Sequence, residues 1–99
     1  MKKDKNFVIN QFEPCIFNEA NESYNNFYVG ITDDVQRRLK EHNVTNEKYC
    51  SEKCEDHETA RAVEKHYIEK GTKGGDGGGD KKTIHVYVYK ISPTTKEDV

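Results

Sequence analysis

Phe27-Tyr28-Val29-Gly30-Ile31-Thr32 runs without a break into Asp33-Asp34-Val35-Gln36-Arg37-Arg38-Leu39-Lys40-Glu41-His42. The first six residues alternate. Phe27, Val29 and Ile31 fall on one face and Tyr28, Gly30 and Thr32 on the other, which predicts a strand over 27–32. Gly30 weakens such a strand unless something approaches its backbone closely. The period then changes from two to that of a helix. Thr32 or Asp33 suits an N-cap, acids occupy the first turn, and the helix is expected to run to about His42. Val35 and Leu39 define its apolar side. Arg38 and His42 lie on the border of that side, one turn apart, while Arg37 and Lys40 point away. A strand thus feeds a helix that turns a guanidinium and an imidazole toward the sheet.

On the C-terminal side, a second helix is expected to begin near Asp56 as cap and to end at Gly71, a residue suited to the left-handed position after a helix. Gly74–Asp80, with five glycines, reads as an irregular loop. Thr83–Ile91 is the cleanest alternation in the chain: Ile84, Val86 and Val88 against His85, Tyr87 and Tyr89. On the N-terminal side, Glu13-Pro14-Cys15-Ile16-Phe17-Asn18 reads as a short strand, at an edge because Pro14 cannot donate to a ladder. Glu19–Asn26 then reads as the connection of a hairpin. The expected architecture is a single α/β (α+β) domain over 1–99. It has a small antiparallel sheet of about three strands flanked by helices, in the order strand-strand-helix-helix-strand. Its core spans about 13–91, and the polar ends 1–6 and 92–99 are expected to fray.

Hydrophobic residues are 32% and charged residues 34% of the chain, with a formal charge of −2. That balance excludes a nucleic-acid binder relying on bulk charge, so any phosphate contact has to come from a local patch. Three cysteines, Cys15, Cys50 and Cys54, make an odd count that does not resemble a disulfide framework. No apolar leader and no stretch near the ~20 residues of a membrane span is present. A reducing, intracellular setting, cytoplasmic or nucleoid/nuclear, is expected, with no membrane partner.

Four residues suggest chemistry. In the second helix, Ala60, Val63, Tyr67 and Ile68 make one stripe, and Glu64 falls within it. A carboxylate aimed at a core is costly without a metal ion, an arginine or a protonated neighbour; the plain alternative is a helix at an edge, with Glu64 reaching water. Arg38 and His42 face the sheet, or Arg38 merely lays its stem along the core edge. Tyr28 stands beside Gly30, which leaves room for a ligand, or it packs with its hydroxyl satisfied. Together, a phenol, a guanidinium, an imidazole and a carboxylate suit phosphodiester hydrolysis. A carboxylate can hold Mg²⁺, which keeps several waters and few protein ligands. The metal and the arginine stabilise charge on phosphate, and phenol or imidazole orients or activates water.

The order and spacing resemble the GIY-YIG nuclease domain. Tyr28-Val29-Gly30 matches the second signature triplet, and Cys15-Ile16-Phe17 occupies the place of the first. Arg38 lies ten residues after Tyr28, where the family places its catalytic arginine. His42 matches a histidine that many members carry one turn later. Glu64 lies where the family has its metal-binding glutamate. The resemblance covers about Glu13 to Ile91. It implies a divalent-metal-dependent endonuclease using Mg²⁺ or Mn²⁺, with Tyr28, Arg38, His42 and Glu64 catalytic and Glu64 the metal ligand. Its partner would be nucleic acid, DNA foremost, with a larger protein or a homo-oligomer supplying specificity. Two departures stand out. Phe17 lacks the hydroxyl usual in the first triplet, so that Tyr28 or Tyr24 would have to serve. The asparagine of many members has only Asp76 as a counterpart.

Other features carry less. Arg37, Lys40, Lys81 and Lys82 are candidates for phosphate contact. Cys50, Cys54 and His57 could supply three zinc ligands, with Cys15 a fourth, although the spacing is not that of a standard knuckle. The glycine loop fails the order of a phosphate-binding loop, though its amides could cradle a phosphate. His85, Tyr87 and Tyr89 could stack bases, but such a row is more often packing surface. Two further readings stand beside the nuclease: a module that kept the fold but lost the chemistry and binds nucleic acid or protein, and a zinc-stabilised interaction domain.

Overall fold

The computed structural model describes residues 3–17, 23–45, 47–75 and 79–99. Its first element is a helix. The Asp4 carboxylate accepts from the Phe7 N–H at 2.9 Å and caps α1 (Lys5–Phe12). A single π-helical stretch, Glu13–Phe17, continues it. The strand expected over 13–18 is therefore absent from its described part, residues 13–17. Val8, Phe12 and Ile16 recur every fourth residue and are all buried, so the segment carries a helical period. Pro14, which has no N–H to give, sits in the widened π turn, where that loss is tolerated.

A short 3₁₀ turn, Tyr24–Asn26, leads into β1 (Phe27–Thr32). Part of the expected hairpin connection, residues 18–22, lies outside the described residues. Next come α2 (Val35–Glu41), β2 (Tyr49–Lys53), α3 (His57–Lys70), the two-residue β3 (Lys73–Gly74) and β4 (His85–Lys90). The cap of α2 is Asp34, whose carboxylate accepts from the Arg37 N–H at 3.1 Å, and not Thr32 or Asp33. Thr32 instead accepts from the Asp34 N–H at 3.0 Å, and Asp33 pairs with Arg37 at 2.7 Å. Asp56 caps α3 through the Thr59 N–H at 2.8 Å, and Gly71 ends it at φ 120°, both as expected.

The sheet has four strands in the order β2-β4-β1-β3. β4 lies antiparallel between β1 and β2, while β3 runs parallel to β1. The fold is α+β with helices against a small sheet, as expected, but the sheet is mixed and not purely antiparallel. Its extra members, β2 and β3, are short and polar, which hid them from the hydrophobic pattern. Tyr28 pairs with Tyr89, and Gly30 with Tyr87.

The alternation read from β1 and β4 divides the core. Phe27, Val29, Val86 and Val88 join Val8, Phe12, Ile16, Phe17, Ala60, Val63 and Tyr67 on the side of α1 and α3. Tyr28, Tyr87 and Tyr89 join Leu39 on the side of α2. Each fully buried side chain of this size contributes about 1.5–3 kcal/mol. The first side also holds a disulfide between Cys15 and Cys50, Cα atoms 6.6 Å apart, tying the π turn to β2. Three unlinked thiols were the expectation; spacing along the chain could not show that these two elements meet.

Asp4 caps α1, which begins at Lys5, and the segment after β4 turns back over α2, where the Lys96 N–H donates to the His42 carbonyl at 2.7 Å. Among the described residues, no helix is long and apolar enough to cross a membrane.

Candidate active site

Gly30 is the pivot of the site. A Cβ there would overlap the ring and hydroxyl of Tyr87, the residue across from it on β4. The close approach that a glycine in a strand requires is therefore made by a phenol of the neighbouring strand. Tyr28, Tyr87 and Tyr89 form a set of near-parallel rings: Tyr87 and Tyr89 at 6.5 Å and 2°, Tyr28 and Tyr89 at 5.4 Å and 24°. The His42 imidazole packs on Tyr28 at 4.7 Å.

His42, the C-cap of α2, is fully buried and bonded at both nitrogens. Its Nδ1 lies 2.5 Å from the Lys96 carbonyl, and its Nε2 lies 2.8 Å from the Tyr87 hydroxyl and 3.2 Å from Arg38 Nη2. Burial lowers the His42 pKa, against the opposing pull of the Lys96 carbonyl, so the imidazole is neutral at neutral pH. Burial pushes the Tyr87 hydroxyl up to about 12, while its hydrogen bond with Arg38 works the other way. The Tyr28 hydroxyl is also raised by burial, opposed by the charge of Arg38 and by the backbone of Gly75.

Arg38 reaches in from α2. Burial opposes its charge, but hydrogen bonds with Glu41 and Tyr87 outweigh that and raise its pKa. Its Nη1 lies 2.7 Å from Glu41 Oε1, and its Nη2 lies 3.2 Å from the Val99 carbonyl. Glu64, on α3, is 4% exposed. It lines an open cleft of about 430 Å³ together with Tyr28, Arg37, Arg38, Tyr87 and Asp80. His42 stands immediately behind Tyr87. The four residues singled out from the sequence, Tyr28, Arg38, His42 and Glu64, are thus gathered on or just behind one cleft.

The other candidates fall elsewhere or play lesser parts. Arg37 lines the cleft, tied to Asp33 at 2.7 Å and Glu41 at 3.9 Å. Lys40 is exposed on α2 and does not line it; Lys81 and Lys82 are exposed in the turn beyond Asp80. Phe17 lies on the opposite face of the sheet, stacked on Tyr67 at 4.8 Å, and Tyr24 packs beside it and donates to Glu13 at 3.1 Å. Neither lines the cleft. Asp76 lies outside the described residues. Cys50 is spent in the disulfide, Cys54 is buried with its thiol pushed up to about 12 by burial, and His57 Nδ1 sits 2.8 Å from the Thr83 carbonyl. Among the described residues no group of three His, Cys, Asp or Glu side chains could hold a metal ion, which removes the zinc reading.

The residue that sequence reasoning passed over is Tyr87. It was visible in the alternation of the last strand, but as one of a row; the sign of its role was Gly30, whose partner only the register reveals.

The model of the GIY-YIG catalytic domain matches residues 14–77, well over half of the chain. The chain belongs to the GIY-YIG family. No curated protein and no solved structure is matched by it. This GIY-YIG domain carries Tyr28, Arg38, His42 and Glu64 inside the matched stretch, whereas Tyr87 and Lys96 lie beyond its end. The family is one of nucleases, which makes nucleic acid its class of substrate.

Proposed function

We propose that this GIY-YIG domain is a divalent-metal-dependent endonuclease hydrolysing a phosphodiester bond of nucleic acid, DNA foremost. The convergence of Arg38, Tyr28, Tyr87 and Glu64 on one open cleft, with His42 behind it, carries this reading. The residues suit a magnesium or manganese ion. Glu64 offers one carboxylate in an otherwise well-buried side chain, and a cleft of this size leaves space for the waters such an ion keeps. Bound there, the ion would supply charge stabilisation to the phosphate.

The remaining steps belong to the chain. Arg38 donates to the phosphate oxygens and stabilises the charge that develops on them, the largest single contribution such a site makes. Tyr87 stands between the cleft and His42. As a water attacks phosphorus and the P–O bond to the departing sugar oxygen breaks, the Tyr87 oxygen takes the water's proton while the Tyr87 hydroxyl proton passes to His42 Nε2, so the phenol ends as it began and the imidazole ends protonated; the departing oxygen takes a proton from solvent, and His42 returns its own to solvent. Tyr28, against the same cleft, orients the phosphate or the water. A larger protein or a second copy would supply sequence preference.

The reading is tested by incubating the protein with single-stranded, duplex and branched DNA and with RNA, in Mg²⁺ or Mn²⁺, beside Glu64→Ala, Arg38→Ala and Tyr87→Phe. Metal-dependent cutting that all three variants lose is expected. One observation favours a module that binds without cutting: the Arg38 guanidinium is already engaged by Glu41 and by the Val99 carbonyl. Wild-type protein that retains nucleic acid on a filter but cuts none of the four substrates would establish that second reading.

A further inference from the structure

The segment that follows β4 does more than cover α2. We propose that Ser92–Lys96 is a positioning element of the active site, which locks His42 in the tautomer that lets it accept the Tyr87 proton. The inference rests on the nuclease reading for its effect on turnover, but not for the tautomer itself.

Two independent contacts fix the same tautomer. The Lys96 carbonyl can only accept, so His42 Nδ1, 2.5 Å away, must carry a proton. A guanidinium can only donate, so His42 Nε2, 3.2 Å from Arg38 Nη2, must offer its lone pair. The Tyr87 hydroxyl at 2.8 Å then donates to that same lone pair. A backbone carbonyl thus does for His42 what a buried carboxylate does for the histidine of a hydrolase triad: it selects the tautomer and the ring orientation.

The carbonyl is held in place from both sides. The Lys96 N–H donates back to the His42 carbonyl at 2.7 Å, closing a two-way clasp. Asn43, which follows His42 in the left-handed region at φ 59°, donates from Nδ2 to the Thr94 carbonyl at 2.9 Å. Glu47 Oε1 accepts from the Ser92 hydroxyl at 2.6 Å and from the Thr94 hydroxyl at 2.9 Å. The Ser92 bond, followed by the Thr45 N–H, holds the Glu47 carboxyl down at about 2, so this latch stays charged across the working range of pH. All of Ser92–Lys96 lies beyond the stretch that matches the family.

The test is a long-range ¹H–¹⁵N spectrum of the imidazoles in the full chain, without metal or substrate, on wild type, Glu47→Gln and the double variant Glu47→Ala/Asn43→Gly. Glycine at 43 keeps the left-handed backbone. Wild type is expected to show His42 protonated at Nδ1 and bare at Nε2, and Glu47→Gln, which retains the acceptor oxygen, to look the same. The double variant, left with the longer 3.2 Å Arg38 contact alone, is expected to show a detectable share of the Nε2-protonated tautomer. Its kcat should fall roughly ten- to a hundredfold with KM little changed, the size of effect that orienting partners have. A wild-type His42 protonated at Nε2 overturns the proposal. So does a double variant that keeps both the wild-type tautomer and the wild-type kcat. Failure of the wild type to cut anything would sink the nuclease reading instead, and the spectra would still decide the tautomer.

Discussion

The two faces of the sheet are made from alternate residues of the same strands, yet they are built on different principles. On the side of α1 and α3, Phe12, Phe17, Phe27, Tyr67 and the valines of β1 and β4 pack as an apolar core. The Tyr67 hydroxyl there donates to Glu13 at 2.7 Å. On the side of α2, the residues are three tyrosines, one leucine and a histidine, joined by hydrogen bonds to Arg38, Glu97 and the backbone of Lys96. The first face derives its stability from area removed from water. The second derives geometry from directional bonds, and two of its tyrosines, Tyr28 and Tyr87, line the cleft. A strand of period two lets one chain segment do both, because a residue changed on one face leaves the other in register.

The sharpest way to break this comparison is to change one atom on the second face. Tyr87→Phe removes the hydroxyl between the cleft and His42 while keeping the ring over Gly30. Cleavage is expected to fall by about 10²–10⁴, the worth of a general acid–base group, with the thermal midpoint shifted by only the ~1 kcal/mol of one hydrogen bond. Single-turnover rates and calorimetry on the same sample check both halves. If the midpoint collapses along with the rate, the second face is a core like the first. Phe12→Ala is the mirror experiment. Phe12 is 1% exposed and packs against Tyr67. Its truncation is expected to cost about 3–5 kcal/mol of stability, read by urea denaturation, while the rate per folded molecule stays within a few-fold of wild type.

The same division explains what could be read from the sequence. β1, α2 and α3 were legible because each carries its own period, and α3 its own cap at Asp56 as well. Tyr28, Arg38, His42 and Glu64 were placed by spacing within or between those elements. What failed to show was whatever depends on contacts between distant segments. β2 is five residues of mostly polar sequence, and it is a strand because β4 pairs with it. Residues 13–17 look like an alternating Cys-Ile-Phe strand when read alone. Their helical period appears only when Val8 and Phe12 are counted with Ile16. Tyr87 stood in plain view, but its meaning lay in its register against Gly30, 57 residues away in the chain. The Lys96 carbonyl could not be found at all, since a backbone atom leaves no mark in the residue pattern.

The disulfide sharpens the comparison further, because it ties Cys50 of the first face's core to Cys15 in the π turn. The bond closes a loop with a sequence separation of 35, and Cys15→Ser is expected to cost about 2–4 kcal/mol. For a domain of this size that is a fall of roughly 10 °C or more in Tm. The same loss should follow treatment of wild type with a reductant, and Cys15→Ser should then be insensitive to it. Cleavage measured well below both midpoints should be unaffected, since no atom of the bridge lines the cleft.

The smallest effect is expected from the second face, in the pH dependence of stability. His42 has a pKa lowered in the folded state, because burial disfavours its charged form. The unfolded chain then binds the proton more readily than the native one, so acid favours unfolding. The sign follows: this contribution is fully present above the unfolded pKa of about 6.5 and is lost as pH falls toward the lower folded value. Carboxylates also titrate in acid, so the quantity to read is the difference in Tm between wild type and His42→Gln across pH 4.5–8. That difference should be flat above about pH 7 and should shrink on acidification, as wild type loses an advantage that glutamine cannot lose. A difference that grows toward acid would mean that His42 is protonated in the native state. Its Nε2 would then have no lone pair for the Tyr87 hydroxyl, and the proposed proton relay through Tyr87 would have no base to end on.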